Sequence, residues 1–312
     1  MPAPFFRTRE ALPPPTPLTL GAIEWHRADA VTLFGGGPTI DGFDDLSGNG
    51  RSVTLSSNTV NTRATQLPTG APNSQPSASA PNPFAGTTTG YDGLLNYQLQ
   101  TIGGAFSIMS VLKPDAAIDG NLIYRFAYSS SDSNGAQFDG GNHWWTPFDT
   151  PAQLRVSMTD EGLAYGGTEV LTAPGAWCYS LYCIDWGANT VRSYLLGGLY
   201  QAGVVSDVAA DRTLVGCYFL RGSRGGPSYN QFDAWFGEVA DFALFPEAID
   251  NAGKLGLLNQ YVGARYGAAM IANAGSAREA DASQRERSAR RRRRWERRGR
   301  IYVPVHVGGM PC

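Results

Sequence analysis

One stretch, residues 176–205 (AWCYSLYCIDWGANTVRSYLLGGLYQAGVV), limits what this chain can become more than any other. In an extended chain successive side chains alternate between faces. Trp177, Tyr179, Leu181 and Cys183 then share one face, and Cys178, Ser180, Tyr182 and Ile184 the other. Both faces are largely apolar or aromatic, which predicts a strand buried on both sides near a sheet centre. Asp185, Gly187 and Asn189 turn the chain, and 190–196 runs back. Gly197-Gly198 is expected to supply a two-residue hairpin loop, because glycine tolerates positive φ. A buried antiparallel meander needs a second sheet to cover it.

Composition agrees. Of 312 residues 38 are glycine and 20 proline, only 17% are charged and 11% are aromatic. That profile suits an all-β domain with many turns and not a helical protein. A sandwich of about 250 residues is ordinary as one domain and buries roughly 70% of its unfolded surface.

Charge is unevenly placed. Residues 277–300 hold eleven arginines against four acids, a surplus of seven positive charges. The remainder carries 14 basic and 23 acidic groups, a balance of −9, so the chain totals −2. An acidic body with a basic arm calls for a partner. Cys178, Cys183, Cys217 and Cys312 form no CxxC pair, and Cys178 and Cys183 fall on opposite faces of one strand. Buried free thiols are expected, not a disulfide framework. The start, MPAPFFRTREALPPPTP, has no apolar core of a signal peptide, and no run of 18 apolar residues exists to span a membrane.

In order, residues 1–19 form a proline-rich extended arm. Residues 21–34 predict a strand and a turn. The segment 41–55 is dense in turn chemistry before a further strand. Its acids superficially suggest a calcium loop, but an EF-hand needs an acid at the twelfth position, and counting from Asp41 that place is Ser52. A plain Asx-turn is the favoured reading, with an irregular calcium site through Asp41, Asp44 and Asp45 as the alternative; no other cofactor is indicated. The low-complexity run 68–90 is expected to be a surface loop, too polar for core. Strands follow at 104–114 and 121–128, expected to pair with each other, then a polar loop at 129–151, a strand at 152–158 and a Gly-rich hairpin. Further strands fall at 212–220 and 232–246. A closing helix over 251–266, capped by Asp250, buries Leu255, Leu258, Val262 and Tyr266. The domain plan is an arm at 1–19, a sandwich at 20–268 and an Arg-rich tail at 269–312.

In that order, WHRADA (25–30), DLSGNGR (45–51), FSIMSVLKP (106–114), WCYSLYCID with NTVRSYLLGG, and GEVADFALFPEAI followed by LNQYVGARYG resemble the concanavalin A-like lectin/glucanase superfamily. Within it they are most similar to the laminin-G-like domains of phage and bacterial surface proteins. The resemblance covers about 25–267. It implies a two-sheet antiparallel jelly roll with one short C-terminal helix, and either glycan binding or an architectural role on a particle or cell surface.

Glycosidases on that fold carry E-x-D-x-x-E, and a retaining pair of carboxylates sits about 5–5.5 Å apart. Here Glu238 and Asp241 are three apart, and Asp160 and Glu161 adjacent, so on strands neither pair converges. His26, His143 and His306 lack metal spacing, and no G-x-S-x-G occurs. An enzyme is not indicated. Sugars bind by stacking on aromatics, with acids and amides reading hydroxyls. The loop 142–149 offers His143, Trp144, Trp145 and Asp149, and 228–235 offers Tyr229, Asn230 and Trp235. The opposing reading gives one tryptophan to the core and the other to a neighbouring subunit. Arg290, Arg291, Arg292, Arg293 and Arg294, followed by Trp295, suit an acidic partner surface; nucleic acid is the less favoured partner.

These readings point to a non-enzymatic structural protein of a phage virion: a tail, fibre or capsid-attached appendage made in the host cytoplasm. The jelly roll is displayed outward, and the termini assemble a homo-oligomer or bind other virion proteins. The alternative is a glycan-binding module that captures host-surface polysaccharide. A glycoside hydrolase on the same fold is the third reading.

Overall fold

The computed structural model describes residues 14–55, 63–80, 91–93, 97–98, 105–114, 121–128, 140–146, 153–160, 163–171, 175–185, 188, 190–204, 213–220 and 237–273. At 55, 91–93, 97–98, 121–128, 140–146, 153–160, 163–171, 203–204 and 213–219 the description is of backbone and strand pairing. The strands in chain order are β1 (Glu24–Arg27), β2 (Val31–Leu33), β3 (Ile40–Phe43), β4 (Val53–Leu55), β5 (Thr65–Ala71), β6 (Gln75–Ala80), β7 (Tyr91–Gly93), β8 (Tyr97–Gln98) and β9 (Ala105–Pro114). They continue with β10 (Asn121–Tyr128), β11 (Gly140–Thr146), β12 (Gln153–Asp160), β13 (Leu163–Leu171), β14 (Cys178–Asp185), β15 (Thr190–Leu195), β16 (Gly198–Val204), β17 (Thr213–Phe219) and β18 (Gly237–Phe245). Helix α1 (Ala252–Tyr266) follows.

All the pairings are antiparallel, and they make two sheets. The first runs β16-β15-β14-β9-β18-β6-β5, with β1 also on β18. The second runs β13-β12-β11-β10-β17-β7-β4-β3-β2, with β8 on β17. With α1 laid on the first sheet, this is the expected all-β jelly-roll sandwich with one closing helix. No helix among the described residues is long and apolar enough to cross a membrane.

The first sheet is covered on both sides, as its apolar runs demand. Met109, Val111, Tyr179, Leu181, Cys183, Ala243 and Phe245 join Leu255, Leu258, Tyr261, Val262 and Tyr266 of α1 in one buried cluster. The alternate positions, including Ile108, Leu112, Tyr182, Phe242 and Leu244, are 0–1% exposed on the side of the second sheet. There His26 stacks on Phe242 (centroids 6.5 Å) and meets Phe43 of β3 (6.4 Å). Cys178 and Cys183 are buried thiols that form no disulfide.

Five expectations change. The hairpin loop is Leu196-Gly197, since Leu195 pairs with Gly198. Both loop residues have positive φ (+49° and +82°), the geometry of a primed two-residue turn. Asn259 donates to the Gly197 carbonyl (3.1 Å) and Asn273 to that of Leu196 (2.9 Å), which offsets the strain of a leucine there. Second, the polar run from 68 is the end of β5, a tight turn at Pro72–Ser74 and β6 as far as Ala80. Small residues let the sheet edge close over it: Ser77 and Ala78 are fully buried, and a Cβ on Gly70 would lie 2.0 Å from Ser77 Oγ. Residues 81–90 lie outside the described residues. Third, β10 pairs with β11 and β17, not with β9, because the chain crosses between the sheets after Pro114. Fourth, 140–146, expected within a loop, is strand β11. Last, the helix cap is Asn251, whose side chain accepts from the Lys254 amide (2.9 Å), while Asp250 pairs with Arg192.

Candidate functional site

Residues directly opposite in an antiparallel pair share a face, as do residues two apart on one strand. Phe43 and Val53 are such a pair across β3 and β4, and they are 1% and 0% exposed. Their row faces the core. Two residues on from Val53, Leu55 is opposite Tyr91, Tyr91 opposite Phe219, and Phe219 opposite Tyr124. Tyr124 is opposite His143, and His143 opposite Val156. His143 and, two residues on, Trp145 therefore hold core-facing positions.

The intervening row belongs to the outer face. It starts at exposed Thr54 and passes through Asp92 and Tyr218 to Arg125, then to Asn142 and Ser157. Trp144, two residues along β11 from Asn142, holds an outer-face position opposite Arg155, which is opposite Glu169 of β13. The β10–β11 register shift, an extra residue at Ile123, falls beside His143 and Trp144, but it lies on β10; β11 keeps its alternation in an unbroken register against β12. The adjacent tryptophans thus divide between the faces, which an irregular loop would not have required. Arg125, Asn142, Arg155 and Ser157 were not singled out from sequence, although QLRVSM alternates Gln, Arg, Ser against Leu, Val, Met. Asp149, Tyr229, Asn230, Trp235, Glu161 and the run Arg290 to Trp295 lie outside the described residues.

The acids of 41–45 do not converge. Asp41 pairs with Arg63 (3.0 Å), and Asp44 accepts from the Thr32 hydroxyl (3.4 Å). Asp45 accepts from the amides of Trp25 (3.1 Å), Ser47 (2.9 Å) and Arg51 (2.9 Å), and from the Ser47 hydroxyl (2.8 Å). Partial burial would raise the Asp45 pKa, but these donors hold it below the ordinary carboxylate value. This is the Asx-turn of the favoured reading. Among the described residues no group of three or more His, Cys, Asp or Glu side chains is placed to hold a metal.

Glu238 and Asp241 need a correction. A bulge at Ala240 sets Glu238 opposite Lys113 and Asp241 opposite Val111, so the two acids share a face after all. Each is already engaged. Glu238 pairs with Lys113 and accepts from the Ser77 hydroxyl (2.5 Å). Asp241 is 0% exposed and accepts from Trp25 Nε1 (2.9 Å), from the Tyr266 hydroxyl (3.0 Å) and from the Tyr261 hydroxyl. Burial pushes the Asp241 pKa up, against those donors. It fastens α1 to the sheet and is closed to a substrate.

A second buried polar pair lies between the sheets. His26 Nε2 is 2.7 Å from Glu24 Oε1, and both side chains are 0% exposed. Burial alone would lower the imidazole pKa. The Glu24 carboxylate, helped by the Asp44 carbonyl and the Asp45 charge, outweighs it and raises the value above 6.5.

No family model matches the chain, and no curated protein matches it. Among solved structures, it is similar to the binding domain of Paraclostridial Mosquitocidal Protein 1 (12% identity, TM-score 0.49, covering 78% of this chain and 53% of that one). It is similar to the botulinum neurotoxin serotype G binding domain at 12% identity and TM-score 0.48, over 77% of this chain and 51% of that one. It is also similar to domain 4 of AbnA, a GH43 extracellular arabinanase from Geobacillus stearothermophilus, solved with arabinotriose: 12% identity, TM-score 0.43, over 76% and 98%. The chain thus spans about half the length of the first two of these binding domains.

Proposed function

We propose that this chain is a non-enzymatic, glycan-binding module of the laminin-G-like kind. The observation that carries the reading is the outer-face position of Trp144, in register with Arg155 and beside Asn142 and Ser157. An indole offers a flat apolar surface to the C–H face of a sugar ring. Amide, hydroxyl and guanidinium groups around it suit the hydroxyls at the rim. The engagement of Glu238 and the burial of Asp241 support a binding role over hydrolysis, which needs two carboxylates open to substrate. Asp149, Tyr229, Asn230 and Trp235 are proposed to extend the contact, and no calcium is required by it. Affinity electrophoresis of the full chain through gels containing host-type polysaccharides tests the reading. Retardation that Trp144→Ala abolishes is the expected result; a chain unretarded by every polysaccharide contradicts it.

For the ends, the charge division supports assembly. The segment 277–300 carries a surplus of seven positive charges against −9 elsewhere. We read the run Arg290 to Trp295 as the grip on an acidic surface of another copy or of another virion protein, the body being carried outward on a phage tail, fibre or capsid appendage. Deleting 274–312, which keeps the buried Met270 and the Asn273 bond to Leu196, is expected to leave a folded monomer by light scattering, and retention of the full oligomer would remove this reading.

A further inference from the structure

We propose that the outer face of β10–β13 selects an anionic glycan, one bearing carboxylate or sulfate groups, with Arg125 as its principal anion-binding residue. The inference rests on the glycan-binding reading above and adds the ligand's charge to it. Arg125 is opposite Asn142 on one side and Tyr218 on the other, so neither directly opposed position is acidic. Arg155 stands between Trp144 and Glu169. Among the outer-face positions around Trp144 the charged ones are thus Arg125, Arg155 and Glu169, while the position directly opposite on β10 is Leu122. The next acid in Arg125's own row, Asp92, is two strands away beyond Tyr218.

The spacing suits one sugar unit. Arg125 is opposite Asn142, two residues before Trp144 on β11, and the β10 bulge at Ile123 lies beside that diagonal, which in a regular pair spans about 7–8 Å. A pyranose over Trp144 can therefore present its exocyclic acid group toward Arg125. A planar guanidinium binds carboxylate or sulfate oxygens in pairs, which adds direction to the charge attraction. A neutral sugar would leave Arg125 with no group of opposite sign at either directly opposed position. Glu169 competes for Arg155, which makes Arg155 the lesser contributor.

The test uses the full chain with four probes: polygalacturonate, its methyl ester, dextran sulfate and dextran, by titration calorimetry at low and moderate salt. Polygalacturonate is expected to bind at least tenfold tighter than its ester, with the preference shrinking as salt rises. Comparing dextran sulfate with polygalacturonate tells which acid group the face prefers. Arg125→Gln should abolish the acid-over-ester preference at an unchanged unfolding midpoint, Arg125→Lys should keep part of it, and Glu169→Gln should strengthen binding of the acid. Equal affinity for acid and ester, or a preference that Arg125→Gln leaves intact, overturns the inference while the glycan reading stands. Binding to none of the four, with retardation absent from every gel above, overturns both.

Discussion

Glu24 and His26 place an ionisable pair where the sandwich is driest. Both are 0% exposed, between Phe43 on one sheet and Phe242 on the other. The folded imidazole titrates above its ordinary value of 6.5. Its contribution to stability is therefore complete below 6.5 and is lost as pH rises through the folded pKa. In urea unfolding from pH 5 to pH 9, the gap between the wild type and His26→Gln should be widest at the acid end, at roughly 3 kcal/mol, and narrow toward pH 9. A gap that widens with pH would mean the pair is neutral. Cys183 offers a second check. Burial pushes its thiol up to about 12, so iodoacetamide at pH 8 should leave it unmodified until the protein is unfolded, as peptide mapping would read. The sequence made the thiols legible because they lie in an unbroken apolar strand. It did not make the His26 pairing legible: Glu24 and His26 alternate with Trp25, a spacing that polar surface strands also have.

Elements were easier to read than their edges. The periodicity of α1 is plain in the sequence, yet Asp250 and Asn251 are both good caps there, and only the Arg192 contact separates them. Asn251→Ala should cost about 1 kcal/mol in thermal unfolding. The loop residue Gly197 has φ +82°, so Gly197→Ala should cost about 1–2 kcal/mol, whereas Gly198, a strand residue, should tolerate alanine far better. Equal costs would restore the loop expected from the sequence. Bulges are what alternation cannot foresee. Ala240 brings Glu238 and Asp241 to one face, and Asp241 then bonds Trp25, Tyr261 and Tyr266. Asp241→Ala leaves three buried donors without it and should cost about 3 kcal/mol or more, with α1 losing amide-exchange protection first.

At the scale of the molecule, one sheet apolar on both faces was legible from β9, β14 and β18, and with it the need for a second sheet and so a sandwich. Which strands share a sheet was not. β9 and β10 follow one another yet lie in different sheets, since pairing depends on crossovers that no local pattern records. The same applies to the tryptophans: adjacency alone could not tell Trp144 from Trp145, and only the strand register assigns them to opposite faces. One paired measurement tests that assignment. Trp144→Ala and Trp145→Ala are each followed by thermal unfolding and by retardation in polysaccharide gels. Trp144→Ala is expected to lose retardation with its unfolding midpoint nearly unchanged, while Trp145→Ala loses about 3–5 kcal/mol of stability. The reverse, a destabilised Trp144→Ala beside a stable Trp145→Ala that no longer binds, would contradict it.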